Sequence, residues 1–279
     1  METSEDSRRH IKTNDFDKLL ALAQAVGAIP VSNPEQGQTS FEPWLRASPE
    51  SILAAIEKRI GTEIKAPTFT GGLWGLTIRG QVFCTRDFQA IYMALRIQQL
   101  IGNRARVCEI GGGAGHLAFY CHQFGCRNYT IVDLPTVAAA QAFFLAQNVG
   151  ADKIRLEGED GDAEINILAP SSFPKGRFDL VVNSDSLPEM ATSTALDYIK
   201  KIKDCSGLFL SINQEAFNQR TPRAGDLQES VAAIVDRVGG FRRLYRCPFW
   251  MRRGYIEELY DSRSLLKRAW RAARSAFLQ

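Results

Sequence analysis

The sequence predicts an α/β fold: a seven-stranded, mostly parallel sheet with an antiparallel C-terminal hairpin, preceded by an N-terminal helical cap. Three observations carry this reading. Between residues 104 and 212, short apolar runs alternate with helical stretches, which is how a doubly wound parallel sheet is written in sequence. The first of those runs breaks into Gly111-Gly112-Gly113-Ala114-Gly115, a turn between a buried strand and a helix. The last two strand-like runs, Phe241–Cys247 and Gly254–Tyr260, are joined by a Pro-Phe-Trp-Met-Arg-Arg segment too short for a parallel crossover.

The chain divides into four parts. Residues 1–40 are polar and read as a partly disordered segment, with one amphipathic stretch from Phe16 to Val26. Residues 41–103 read as a helical cap or lid. Within it a helix over Pro49–Ile60 ends at Gly61, Pro67–Gly80 is an irregular glycine-rich loop, and Thr85 caps a helix through Leu100. Residues 104–261 form the α/β domain. Its strands are Arg106–Ile110, Tyr129–Val132, Ile154–Glu157, Phe178–Val182 and Leu208–Ile212, followed by the hairpin. Residues 262–279 form a basic amphipathic helix with Arg263, Lys267, Arg268, Arg271 and Arg274 on its polar face.

Composition narrows the function classes. With 279 residues, 34 Lys+Arg against 31 Asp+Glu and a net charge of +3, the chain lacks the basic excess of a nucleic-acid binder, and no nucleic-acid motif is present. No apolar run approaches the roughly 18–20 residues that span a bilayer. Met1–Asp17 has no apolar leader core, so a cytoplasmic location is expected. The six cysteines are scattered without a CxxC, and His116, Cys121, His122 and Cys126 lie on one helix and its exit turn. Zinc sites want tighter spacing and a second ligand pair, so no metal is expected and the cysteines are read as reduced structural thiols.

The glycine turn carries the chemistry. Glycines after a buried strand let the backbone approach a ligand, and the next helix offers its N-terminal amides to an anion. Read as Gly113, Gly115 and Ala118, the turn matches a dinucleotide fingerprint, but Glu109, Gly111 and Gly112 would then have to continue the buried strand, for which they are poorly suited. Read from Glu109 through Gly111, Gly113 and Gly115, it resembles the first motif of class I S-adenosylmethionine (SAM) methyltransferases, a Rossmann-like fold. A carboxylate at Glu109 suits a ligand carrying an α-amino group, which a pyrophosphate lacks. Asp133, at the tip of the second strand beside Leu134, is placed for ribose hydroxyls. The methyltransferase resemblance implies an acid near the adenine amino group; Asp160 or Asp162 fits, as does a solvated turn.

Two further strands end in polar bursts facing the same crevice: Asn183-Ser184-Asp185-Ser186 with Glu189, and Asn213-Gln214-Glu215. Together with Val132-Asp133-Leu134-Pro135 and Arg253-Gly254-Tyr255-Ile256-Glu257-Glu258-Leu259-Tyr260, these runs are similar to the sugar O-methyltransferase family linked to polysaccharide biosynthesis. The resemblance covers roughly Thr85 to Tyr260 and departs at Ala114, where many members carry an aromatic. It implies SAM as cofactor, in-line transfer of its methyl group to a hydroxyl of a sugar-like small molecule, and Asn183 and Ser184 beside the cofactor. Because a sugar hydroxyl is a weak nucleophile, a base is expected from Asp185 first, Glu189 second, or Glu215. Glu257 and Glu258 fall on an expected edge strand, one pointing inward and one outward. A non-sugar hydroxyl or amine acceptor, and a non-catalytic scaffold of the same fold, are the competing readings. The C-terminal helix either docks on its own domain or makes weak contact with an anionic membrane surface, and a homodimer is compatible with these features.

Overall fold

Leu19, Leu22 and Ala23 recur at helical spacing and are fully buried on α1 (Ser4–Ala25), where they pack toward α3 and α4. The structure, a computed structural model, describes residues 4–31, 42–174, 176–215 and 229–263. After the short α2 (Glu42–Leu45), α3 (Pro49–Ile60) starts at Ser48, whose side chain accepts from Ser51 N–H at 3.2 Å, and stops at Gly61 with φ 74°. Sequence and structure agree on both ends, because cap chemistry is local.

Pro67–Gly80 is not wholly irregular. It contributes β1 (Leu76–Ile78), which pairs antiparallel with β2 (Gln81–Phe83) across an Arg79-Gly80 turn. Both turn residues have positive φ, as a two-residue hairpin turn requires. Three residues per strand are too few to show an alternation. α4 (Thr85–Ile101) is capped one residue earlier than expected, at Cys84: Asp87 accepts Cys84 N–H at 2.7 Å from the third helical position. Thr85 instead donates its hydroxyl to the buried Asp15 at 2.6 Å.

The described residues fall into two units. One gathers those of Met1–Asn103 with Ala114–Cys126 and Phe143–Lys153; the other gathers those of Arg104–Gly113, Arg127–Ala142 and Ile154–Gln279. The segment 114–126 thus groups with the N-terminal elements and carries α5 (His116–Gln123), while α6 (Pro135–Val149) contributes to both units.

The second unit contains a sheet of eight strands, one more than the sequence predicts. In chain order these are β3 (Val107–Ile110), β4 (Tyr129–Val132), β5 (Ile154–Leu156), β6 (Ile165–Leu168), β7 (Leu180–Ser184), β8 (Leu208–Gln214), β9 (Arg242–Pro248) and β10 (Tyr255–Asp261). Their spatial order is β5-β6-β4-β3-β7-β8-β10-β9. The first six are parallel, and β10 and β9 form the antiparallel end. The additional strand is β6, a four-residue Ile-Asn-Ile-Leu that sits between β5 and β4.

β3 and β4 are buried throughout and are mostly apolar, with Glu109 and Thr130 as their polar members. On one face, Cys108, Val181 and Phe209 pack with α7 (Thr192–Cys205) and α8 (Val231–Val238) through Ile199, Ile202, Ile234 and Val235. Strand order reverses at β3, with β4 on one side and β7 on the other. That is where open α/β sheets leave a crevice beyond their carboxyl ends.

β10 is not the edge strand but lies between β8 and β9, and its two glutamates, which as successive strand residues point to opposite faces, are both buried. Glu257 accepts Tyr245 OH at 2.5 Å, and Glu258 accepts from Arg243 and Arg246, each at 3.1 Å. The exposed edge is β9, which supplies those partners. A buried carboxylate deprived of a cation is costly. Arg246→Ala should therefore lower unfolding stability by about 1–3 kcal/mol in urea titration, with Arg243 limiting the loss; a change indistinguishable from zero would contradict the pairing.

The expected C-terminal helix lies almost entirely outside the described residues. Among the described residues no helix is long and apolar enough to cross a membrane.

Candidate functional site

The chain leaves β3 through Gly111, whose N–H still donates to Val132 O at 2.9 Å. Gly111 has φ 72°, and a Cβ there would stand 2.2 Å from Ser186 Oγ. At Gly112 a Cβ would stand 2.8 Å from Ile131 Cγ2 and 3.1 Å from Glu109 Oε2. At Gly113, with φ 56°, it would meet nothing within 4 Å. Two glycines are thus demanded by packing, whereas the third faces open space that a ligand can fill. Gly115 belongs to the other unit, where it precedes α5 and lies against Leu145 and Phe144.

Glu109 is buried at the end of β3 and accepts Tyr129 OH at 3.0 Å. Burial raises its pKa to about 7; the tyrosine bond works against that rise and the charge of Asp133 adds to it. The folded state therefore retains a proton that an unfolded glutamate loses near 4.5. Between those two values stability falls as pH rises, by on the order of 3 kcal/mol in all. Unfolding measured from pH 4.5 to 8 should show this decline, and Glu109→Gln should flatten most of it. A variant as pH-sensitive as the parent would count against the assignment.

Asp133 follows β4 and is tied to the glycine turn. Its Oδ2 accepts Gly113 N–H at 3.2 Å and Gln141 Nε2 at 2.7 Å, and its Oδ1 accepts Leu134 N–H at 2.8 Å. A carboxylate offers about four lone-pair positions, so Oδ1 keeps capacity for a ligand hydroxyl. Leu134 itself is exposed. Gln141, on α6, is a site residue that sequence reasoning missed. It is fully buried, and its Oε1 has no hydrogen-bond partner. The available signal was a single amide within an otherwise apolar Val137–Leu145 run, since a polar group on a buried face must be paired.

At the carboxyl ends of β7 and β8 the polar residues knit together. Asn183 is fully buried; its Nδ2 donates to Ile110 O at 2.9 Å and Ser186 Oγ at 2.6 Å, and its Oδ1 accepts from Asn213 at 3.0 Å. Ser184, the last residue of β7, pairs with Ile212. Asp185 has φ 70°, a left-handed conformation that aspartate tolerates better than most residues and that marks a constrained turn. Its carboxylate accepts from Arg252 at 3.1 Å and from Tyr255 OH, with the Arg252 guanidinium 4.0 Å above the Tyr255 ring. Burial, then the bond to Asp185, pushes the Tyr255 hydroxyl well above its usual pKa.

Glu189 is exposed at the end of the following turn. Glu215 is held by both terminal nitrogens of Arg246, and that bond lowers its pKa. A carboxylate made less basic is a poorer proton acceptor, so Glu215 suits a base less well.

Asp160 and Asp162 lie in the connection 157–164 between the edge strand β5 and β6, and it is β6, not β5, that pairs with β4. β6 ends in Leu168-Ala169: Leu168 O accepts Asp133 N–H at 3.1 Å, and Ala169 N–H donates to Glu157 at 2.8 Å. His116, in the other unit, is buried beside Phe69 and Phe144, and burial lowers its pKa to about 4.

No family model matches the chain, and no curated protein does. Solved structures do resemble it. The CcbJ methyltransferase from Streptomyces caelestis aligns over 63% of this chain and 90% of its own, at a TM-score of 0.49 and 13% identity. The glycopeptide N-methyltransferase MtfA, complexed with sinefungin, aligns over 63% of this chain and 87% of its own, at 0.48 and 17%. The mitomycin 7-O-methyltransferase MmcR aligns over 62% of this chain and 54% of its own, at 0.45 and 18%.

Proposed function

We propose that this chain is a SAM-dependent O-methyltransferase acting on a hydroxyl of a sugar or sugar-containing small molecule. The observation that carries the reading is the arrangement around the glycine turn. A buried acid ends β3, open space lies over Gly113, and a carboxylate at the tip of β4 is bonded to that same glycine. The residues fit the cofactor. Glu109 suits the methionyl ammonium, backbone amides of the turn suit its carboxylate, and Asp133 suits the ribose hydroxyls. The stranded Gln141 Oε1 and the space at Gly113 are what a cradle awaiting a polar ligand presents. When bound, SAM would supply an electrophilic methyl group on a sulfonium, with the neutral thioether as the leaving group.

The chain's own task is then to position the acceptor and receive its proton. Asp185 takes the acceptor hydroxyl as a hydrogen-bond partner, with Arg252 and Tyr255 fixing its carboxylate, and the exposed Glu189 provides a second anchor. Glu215 remains a structural partner of Arg246.

Mass spectrometry on nucleotide sugars and glycans incubated with SAM should find a gain of one methyl group. Asp185→Asn should lower kcat by about 10²–10³, whereas Glu215→Gln leaves it within about threefold. Methylation confined to amines, or none, would overturn the acceptor class. SAM affinity should also rise about tenfold between pH 6 and 8 as Glu109 ionises, and Glu109→Gln should lose that rise; an equal rise in both proteins would separate Glu109 from the ammonium.

A further inference from the structure

We propose that Cys84, Asp87 and His116 form a binding site for a zinc-like divalent metal ion, which clips the start of α4 to the start of α5. The inference stands apart from the methyltransferase reading. Cys84 caps α4, Asp87 lies one turn into it, and His116 opens α5. A sulfur, a carboxylate oxygen and an imidazole nitrogen from these residues all lie within 4.8 Å of one another. These are the three donor types zinc takes in proteins.

His116 Nε2 is buried with no hydrogen-bond partner, on a residue only 8% exposed, and it faces Asp87 Oδ1 at 3.8 Å. A buried ring nitrogen without a partner wants an explanation, and a coordinated cation is one. Asp87 is fully buried, and the bonds it accepts come from neutral donors, Cys84 N–H at 2.7 Å and Tyr120 OH at 3.2 Å. Buried carboxylates are usually paired with a cation or coordinate a metal.

The surroundings fit the same account. The Tyr120 hydroxyl donates to the same Asp87 Oδ1 that faces His116 and helps fix the carboxylate, as outer partners of metal ligands do. The Phe69 and Phe144 rings, centred 5.2 and 5.4 Å from the imidazole, keep that side apolar. Arg86 is the cation whose charge reaches His116. One thiolate and one carboxylate together carry the two negative charges that balance a divalent ion. Binding releases the Cys84 thiol proton to solvent, and three protein ligands leave a fourth position open. In sequence, His116 suggested grouping with the cysteines that come after it on α5. Its partners lie about thirty residues earlier, at Cys-x-x-Asp spacing.

Co(II) added to reduced full-length protein is the probe. A thiolate-to-cobalt charge-transfer band should saturate at one ion per chain and vanish when Zn(II) is added. Cys84→Ser should abolish the band, and Cys84→Ser and His116→Gln should each weaken binding at least about 100-fold. Cys126→Ser should change neither. No band, or one that survives Cys84→Ser, overturns the site. Should the variants fail to fold, thermal unfolding of the parent decides. Zn(II) should raise Tm relative to chelator-treated protein, and an unchanged Tm refutes the proposal.

Discussion

Asp133→Ala is expected to weaken SAM binding by about 100-fold in titration calorimetry. A hydrogen bond from a ligand hydroxyl to a charged carboxylate contributes about 1.5–3 kcal/mol, which covers a change of that size. The variant also frees Gly113 N–H and deprives the buried Gln141 amide of its acceptor, so a stability loss of about 1–2 kcal/mol accompanies it. Asp133→Asn keeps the shape and loses the charge, and should fall between parent and alanine in affinity while staying near the parent in Tm. Equal affinities for parent and alanine variant would remove Asp133 from the cofactor site.

The second large effect is Gly111→Ala. A side chain at φ 72° costs roughly 1–2 kcal/mol by itself. The new Cβ would also fall 2.2 Å from Ser186 Oγ and 2.4 Å from Ser186 Cβ, in the midst of the bonds joining Ile110, Asn183 and Ser186. Displacing that serine adds overpacking and lost hydrogen bonds, so a total near 3–5 kcal/mol is expected in urea unfolding, a large share of a typical domain's stability. Ser186→Gly in the same chain removes both clashing atoms and should recover a substantial part, a coupling read from the double-mutant cycle. Gly113→Ala makes the contrast. It carries the backbone cost alone, yet should weaken SAM binding at least tenfold, because its methyl group occupies the space proposed for the ligand.

Features that neighbouring residues decide among themselves were legible in the sequence. The glycine turn, its preceding acid and Asp133 could be read because turn chemistry and strand ends are written in contiguous residues. The ends of α3 could be read from Pro49 and Gly61 for the same reason.

Features that escaped needed the sheet. β6 is four residues long and comes after an acidic turn, so its Ile-Asn-Ile-Leu alternation was too brief to count as a strand. Without it, the strand that pairs with β4 and accepts Asp133 N–H could not be named. Asp185 was legible, but its clamp was not: Tyr255 lies 70 positions away, and only the return of β10 alongside β8 brings it back. Glu215 looked like Asp185 in sequence, and each meets its own distant cation, Arg246 of β9 for Glu215 and Arg252 for Asp185. Local patterns name candidate groups; long-range pairing decides which remain available for chemistry.

The most direct trial is a crystal structure of the protein grown with S-adenosylhomocysteine. Density should show the amino-acid end of that molecule beside Glu109 and over Gly113, with its ribose on the Asp133 carboxylate. A fully occupied ligand bound elsewhere, or an empty turn at saturating concentration, would contradict the account.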